Sequence, residues 1–270
     1  MKNGNNSMDY TALDEYQRKT WDRRFEYYQQ KDHSPEREAI LAPFNRELER
    51  LAELIRPYEN TYEMCFYEQQ KHVVRWEYAR GGEVLERGFY HPCPVIDLVT
   101  AGAKRGRLIQ YFRKNNPPTY TFGFDQNDRL ITVVKRPKDS KVITRTVINY
   151  LGNRTLALYF SGEGSNAWMG YAEECVYHDE CLSEYTAALF MRNADSIYRI
   201  HKKEYSYLNG KLHEMSDLSF MPNANLISRR VYCFSHDADG YLNAYWLTWS
   251  EGAPVPEKPY KYTISVKRKV

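Results

Sequence analysis

The sequence predicts a mainly β (α+β) protein. It would be an extended, twisted antiparallel meander of about ten or more strands, built from repeated hairpins, with N-terminal helices packed on it. Three observations predict this. One phrase recurs five times in the C-terminal half: an aromatic or apolar run, a polar turn, then Leu-x-x-(apolar). The copies are Leu130-Ile131-Thr132-Val133, Leu156-Ala157-Leu158-Tyr159, Leu182-Ser183-Glu184-Tyr185, Leu212-His213-Glu214-Met215 and Leu242-Asn243-Ala244-Tyr245. Their leucines fall 26, 26, 30 and 30 residues apart, a period that marks an array of units, none able to bury its face alone. The turns supply the second observation. Asn209-Gly210 and Asp239-Gly240 are hairpin signals, because the tight hairpin turn needs positive φ at its centre. Third, tyrosine occurs 24 times against 11 phenylalanines and 5 tryptophans, and its ring suits a half-buried pleated surface.

Taken in order, residues 8–31 predict a helix with Tyr10, Leu13, Tyr16, Trp21, Phe25 and Tyr28 at a spacing near three to four. A second helix opens on Ser34 as N-cap with Pro35 at its first position and Glu36 and Glu38 near its positive end. Its stripe is Ile40, Leu41, Phe44, Leu48, Leu51, Leu54 and Ile55, and Pro57 closes it. Strands begin at Tyr62, where Tyr62, Met64 and Phe66 alternate, and continue at Val74, Trp76 and Tyr78. Ala79 to Gly82 forms a turn, and Val84 to Tyr90 returns. Val95–Ala103 and Arg107–Lys114 predict short helices, limited by Gly102 and Gly106. Five hairpins follow: Thr119–Phe124 with Arg129–Lys135, Val142–Tyr150 with Thr155–Phe160, Glu174–Tyr177 with Leu182–Leu189, one turning at Asn209-Gly210, and Arg230–Phe234 with Tyr241–Trp249. Tyr260–Val266 ends the chain as one more strand before Lys267-Arg268-Lys269. The organisation is a helical segment over 1–58 and the hairpin array over 59–270, in one continuous domain.

Apolar residues make up 42% of the 270-residue chain, enough for a core, and the mean hydropathy of -0.73 reflects 27% charge. No run approaches the roughly 18 apolar residues of a membrane span. The first seven residues have no apolar signal core behind them, which predicts a cytoplasmic protein without a membrane role. Five cysteines (Cys65, Cys93, Cys175, Cys181, Cys233) form no paired framework and predict free thiols.

Charge is segregated. Lys104 to Arg145 holds eleven basic residues against Asp125, Asp128 and Asp139, a net +8. Thr155 to Met191 has six acids and no Lys or Arg, a net −6. Such a bipolar surface steers charged partners. The acidic stretch gives one candidate contact: Glu163, Trp168, Glu173, Glu174, Tyr177, Asp179, Glu180 and Glu184, with Tyr171 and Tyr185 beside them. The basic stretch gives a second: Lys104, Arg105, Arg107, Arg113, Lys114, Lys135, Arg136 and Lys138. There Tyr111, Phe112, Tyr120, Phe122 and Phe124 interleave as stacking rings or, more simply, as core.

Catalytic and metal signatures are weak. Cys175, His178 and Cys181 lack a fourth ligand for a structural zinc site. Asp237 and Asp239 read as turn residues. Ser161 to Asn166 is glycine-rich but lacks the Lys-Ser/Thr of a phosphate loop. The seven histidines pair with no nucleophile by spacing, so a non-enzymatic protein without cofactor or metal is expected.

Phe122-Gly123-Phe124-Asp125 through Leu130 resembles the YD (Rhs-type) repeat, Tyr-x-Tyr-Asp-x-x-Gly-x-Leu, with Phe for Tyr. Tyr205-Ser206-Tyr207 through Leu212 and Tyr232-Cys233-Phe234 through Leu242 match more loosely. True arrays of this kind are far longer and build shells around toxins. Small proteins with such hairpins resemble immunity proteins of bacterial polymorphic toxin systems. That likeness implies a protein-binding inhibitor of a cognate secreted toxin, such as a nuclease, whose basic surface an acidic face would occlude. The alternatives are a nucleic-acid-binding sheet using the basic segment and a structural module of a secretion-associated assembly. Self-association through an exposed sheet edge is a further expectation.

Overall fold

Turn chemistry and one recurring bulge set the register of the sheet. The computed structural model describes residues 35–58, 61–81, 90, 106–136, 142–162, 167–190, 197–221, 226–250 and 260–269. Thirteen strands form a single sheet. They are β1 (Arg75–Arg80), β2 (Arg107–Ile109), β3 (Tyr120–Phe124), β4 (Leu130–Lys135), β5 (Thr144–Leu151), β6 (Arg154–Ser161), β7 (Trp168–His178), β8 (Cys181–Phe190), β9 (Ile197–Leu208), β10 (Lys211–Met221), β11 (Leu226–His236), β12 (Tyr241–Ser250) and β13 (Tyr260–Lys269). From β3 to β13 each strand pairs antiparallel with the next, so the fold is a mainly β open meander. Only the first end breaks the order: β1 lies between β3 and β2.

Two turn designs join the strands. Gly152-Asn153, Asp179-Glu180 and Asn209-Gly210 are two-residue connections. Positive φ occurs at both centres of the latter two, at 48° and 67° and at 54° and 73°, as the right-handed twist of the flanking strands requires. The first and fifth turns are longer and alike. Asp125 Oδ1 accepts the backbone N–H of Asn127 and Arg129, and Asp237 Oδ1 accepts those of Asp239 and Tyr241. Asp128 takes φ 60° where the fifth copy has Gly240 at 84°.

The spacing of three in Leu-x-x-(apolar) is explained by the ladder. In a regular strand, residues three apart face opposite ways. Immediately after the repeat leucine an extra residue bulges out in four copies: Ile131, Ser183, His213 and Asn243. The bulge restores both apolar residues to one face. Leu182 with Tyr185, Leu212 with Met215, and Leu242 with Tyr245 therefore share one core, and Leu130 shares another with Val133. Copy two has no bulge there. Its Leu156 turns to the helical side while Tyr159 joins the opposite face.

Helix α1 (Pro35–Ile55) matches the second predicted helix, and a 3-10 turn (Arg56–Tyr58) ends it at Pro57. Of its stripe, Phe44, Leu51 and Ile55 are buried and Leu41, Leu48 and Leu54 half-buried. Phe44 and Leu51 pack on Ala188, Ile200 and Phe220, while Ile55 packs on Leu156, Leu158, Met169 and Ala172. Pro43 lies inside the helix, exposed, and has no N–H to donate to the preceding turn. The 8–31 helix, the Ser34 cap, the 95–103 helix and most of the 84–90 strand lie outside the described residues.

Two expectations are corrected. Tyr62–Gln70 is a helix, α2, not a strand. Only part of the alternation lies on the buried face: Met64 is exposed, while Tyr62, Cys65 and Phe66 seat on Val134, Val147 and Phe160. The 107–114 segment is not a helix: Arg107–Ile109 adds to the outer edge of β1 as β2. Gly106 makes this approach possible, since a Cβ there would meet the Gly81 carbonyl oxygen at 2.5 Å.

The sheet thus has two unlike faces. The helices cover one across β4 to β10. The other is a continuous aromatic field. Tyr120, Phe122, Phe124 and Tyr159 lie toward β1, and Tyr185, Tyr205, Tyr232, Phe234 and Tyr245 toward β12, joined through Tyr171.

Candidate binding surfaces

In a meander, every second connection falls on the same end of the sheet. All five repeat turns therefore line one rim, across strands spaced about 4.8 Å apart. The exposed side chains alternate along it. Leu151 precedes the second turn and is 49% exposed; Leu208 precedes the fourth and is 58% exposed. Between and beyond them stand Asp179 and Glu180 of the third turn and Asp239 of the fifth, all exposed. Asp128 is exposed at the first turn and receives Arg75 Nε at 3.1 Å. Cations share this rim. Besides Arg75, Arg129 is tied to Asp125 at 2.7 Å and Arg154 to Glu174 at 3.2 Å, Lys211 lies close to Gly240, and Arg268 and Lys269 of β13 pair with Leu242 and Tyr241 beside the fifth turn.

The eight residues of the acidic candidate do not form one surface. Glu163 lies outside the described residues. Asp179 and Glu180 stand on the rim, with Tyr177 half-buried next to them. Glu173 and Glu174 are a correction: both are buried, and as neighbours in β7 they face opposite ways. Glu174 points under α1, where Arg50 and Arg154 neutralise it. Arg50 also grips Glu47, donating through Nε at 3.0 Å. Burial works against the Glu47 charge, but Arg50 and then Lys202 hold its carboxyl below the usual range. Glu184 pairs with Lys202 at 3.2 Å. Trp168 opens β7 at the far end, half-buried.

Glu173 is 0% exposed in the aromatic field. Tyr159 donates to its Oε2 at 2.7 Å and Tyr185 to its Oε1 at 3.0 Å, while the Tyr171 and Tyr185 hydroxyls meet at 2.6 Å. Burial first, then the Glu173 charge, pushes the Tyr185 hydroxyl well above its ordinary range. One strand pair further on, Asp217 stands opposite Lys203 and Arg230 in the ladder and 3.7 Å from His201. Burial opposes its charge, yet His201, Lys203 and Arg230 keep its carboxyl below the carboxylate norm. These groups neutralise one another inside the fold.

The basic candidate is better gathered. Lys104, Arg105 and Lys138 lie outside the described residues. Arg107 begins β2 opposite Arg80, and Lys135 ends β4 opposite Tyr120, which leads β3. Arg136 donates its backbone N–H to Thr119 at 2.7 Å. Arg113 and Lys114, both exposed, lie in the Arg113–Asn116 turn, which Arg80 ties down by donating to the Asn116 carbonyl at 2.7 Å. All of these meet at one corner of the sheet, away from the repeat turns. Arg80 was missed in the sequence because it lies outside the charged run. The interleaved aromatics divide: Tyr120, Phe122 and Phe124 are core, whereas Tyr111 is 85% and Phe112 40% exposed. Arg145 is core too, donating to the Gly162 carbonyl at 2.9 Å.

His178 stands opposite Cys181 across the third turn, while Cys175 is buried further along β7 opposite Tyr185. Among the described residues no group of three or more His, Cys, Asp or Glu could hold a metal ion, and no helix is long and apolar enough to cross a membrane. A polar cleft of about 540 Å³ opens between α2 and the first repeat turn, lined by Tyr58, Gln69, His72, Asn127, Ile131 and Asn149 among others. Comparison with protein-family models, curated proteins and solved structures yields no match.

Proposed function

We propose that this chain is a non-enzymatic binding protein, an immunity protein that neutralises a cognate secreted toxin by occluding its active surface. The observation that carries the reading is the rim, where exposed Leu151 and Leu208 alternate with the acids Asp179, Glu180 and Asp239. An apolar contact bordered by charge is how protein interfaces are built. Acids there match the basic surface that a nuclease presents to phosphate, and complementarity of this kind raises on-rate and specificity. The buried carboxylates support the same reading from the other side. Glu173, Glu174 and Asp217 are consumed in holding the scaffold, so the rim is left to meet the partner.

The test is co-expression with the product of the adjacent gene. Co-purification and rescue of growth are expected for the parent chain. Replacing Asp179→Lys, Glu180→Lys and Leu208→Asp together removes both while the circular dichroism stays unchanged. Retention of the partner by that variant would place the contact elsewhere, and a neighbour that neither binds nor harms growth would overturn the inhibitor reading.

A further inference from the structure

We infer that the corner where β1, β2, β3 and β4 meet is a binding site for single-stranded nucleic acid, separate from the rim. Three observations carry this. The first is charge. Strand pairing and the Arg80–Asn116 bond gather Arg107, Arg113, Lys114 and Arg136 at this corner, with Lys135 beside them on the aromatic face over the Tyr120 ring, and residues 106–121 and 133–136 contain no Asp or Glu. Phosphates are the chemistry that such a field attracts.

The second is the state of the rings. A core aromatic is buried, as Tyr120, Phe122 and Phe124 are. Tyr111 and Phe112 stand out in solvent between Arg107 and Arg113 instead, with Leu108 exposed as well. Phe112 is held edge-on by Tyr78, with ring centroids 4.8 Å apart. Exposed rings beside cations are a stacking platform for bases, which offer a π-face only when unpaired. That favours a single strand over a duplex, whose bases are stacked on each other.

The third is rigidity. The Arg113–Asn116 turn is closed by its own backbone bond at 2.9 Å and fastened to β1 by Arg80. Arg113 and Lys114 are therefore presented from a fixed turn. Arg80 is a positioning residue here.

The experiment is fluorescence anisotropy on the full chain with a labelled oligothymidylate of roughly twelve nucleotides, a length that OB-sized sites accommodate. The matching blunt duplex and heparin serve as competitors. Single-strand binding that weakens steeply with salt is expected, with the duplex competing poorly. Tyr111→Ala leaves the charge unchanged and lowers affinity about tenfold, the usual effect of removing one stacking ring. The double change Arg113→Glu, Lys114→Glu weakens binding and flattens the salt dependence. Because these side chains are exposed, the variants fold as the parent does. Absence of binding at low salt, Tyr111→Ala binding like the parent, or preference for duplex or heparin would each overturn the proposal. The last two would show plain polyanion adsorption. None of these outcomes bears on the rim and its protein partner.

Discussion

Glu173 holds a carboxylate in the middle of an aromatic face, and its two oxygens are answered by two tyrosine hydroxyls from the strands on either side. A buried acceptor satisfied in this way contributes little net energy, yet losing its partners exposes the full cost of desolvation. Glu173→Gln keeps the shape but turns one acceptor into a donor that faces a hydroxyl. It should destabilise the protein by about 1–3 kcal/mol in urea denaturation, and Glu173→Lys should abolish folding. An unchanged midpoint for Glu173→Gln would mean that the tyrosines do not depend on the carboxylate. The same geometry separates this residue from Asp179 and Glu180, which follow it closely in β7 and its turn but stand on the surface. Reversing all of them together would confound folding with binding.

At the scale of the element, the bulge has a second consequence. An extra residue interrupts the ladder and leaves a carbonyl beside it without its usual donor. The next hairpin supplies one from a side chain. Tyr150 donates to the Leu130 carbonyl and Tyr207 to that of Leu182, each at 2.9 Å, and the His236 ring lies 2.6 Å from the Leu212 carbonyl. One repeat is thereby latched to the one before it, which gives part of the tyrosine excess a physical cause. Tyr207→Phe removes the donor and strands the carbonyl, and a loss of about 1–3 kcal/mol is expected. Hydrogen exchange should accelerate in β8 and β9 first; equal protection in parent and variant would refute the latch.

The five repeat turns, the order of their hairpins and helix α1 stand where local residues placed them, each depending on neighbours within a few positions, whereas the local patterns at 62–66 and 107–114 misled. The pairing of β1 with β3 bridges Arg75 to Phe124 and Ala79 to Tyr120 across a long connection, and no local pattern encodes it. Helix α2 was misjudged because Tyr62, Met64 and Phe66 fit a period of two, while Cys65 and Phe66 complete a helical face that only the sheet beneath reveals. The burial of Glu173 and Glu174 was hidden for a similar reason. Strand β7 starts at Trp168, well before the predicted Glu174, and only a long strand carries both residues through the centre of the sheet.

For the whole molecule, the open sheet leaves two edges, the three-residue β2 and the ten-residue β13. The β13 sequence carries Lys261, Lys267, Arg268 and Lys269, and like charge of this kind discourages a second copy from adding to an edge. Stability then depends on how the two faces are held, and both use carboxylates kept ionised. Glu47 anchors α1 on the helical face and Asp217 anchors the ladder on the aromatic one, each with a folded pKa below its ordinary value of 4.5 or 3.8. The sign follows from linkage. A depressed carboxylate contributes its full stability above the unfolded pKa and loses it as pH falls through the folded value, because the unfolded chain binds the proton first. Stability should therefore be level near neutrality and decline as the pH drops below about 4. Asp217→Asn removes one titrating group, so its acid limb should be shallower, with a lower plateau at neutral pH from the negative charge lost between His201, Lys203 and Arg230. Urea midpoints between about pH 3 and pH 7 test this: parallel curves for parent and variant would show that Asp217 carries none of the acid sensitivity.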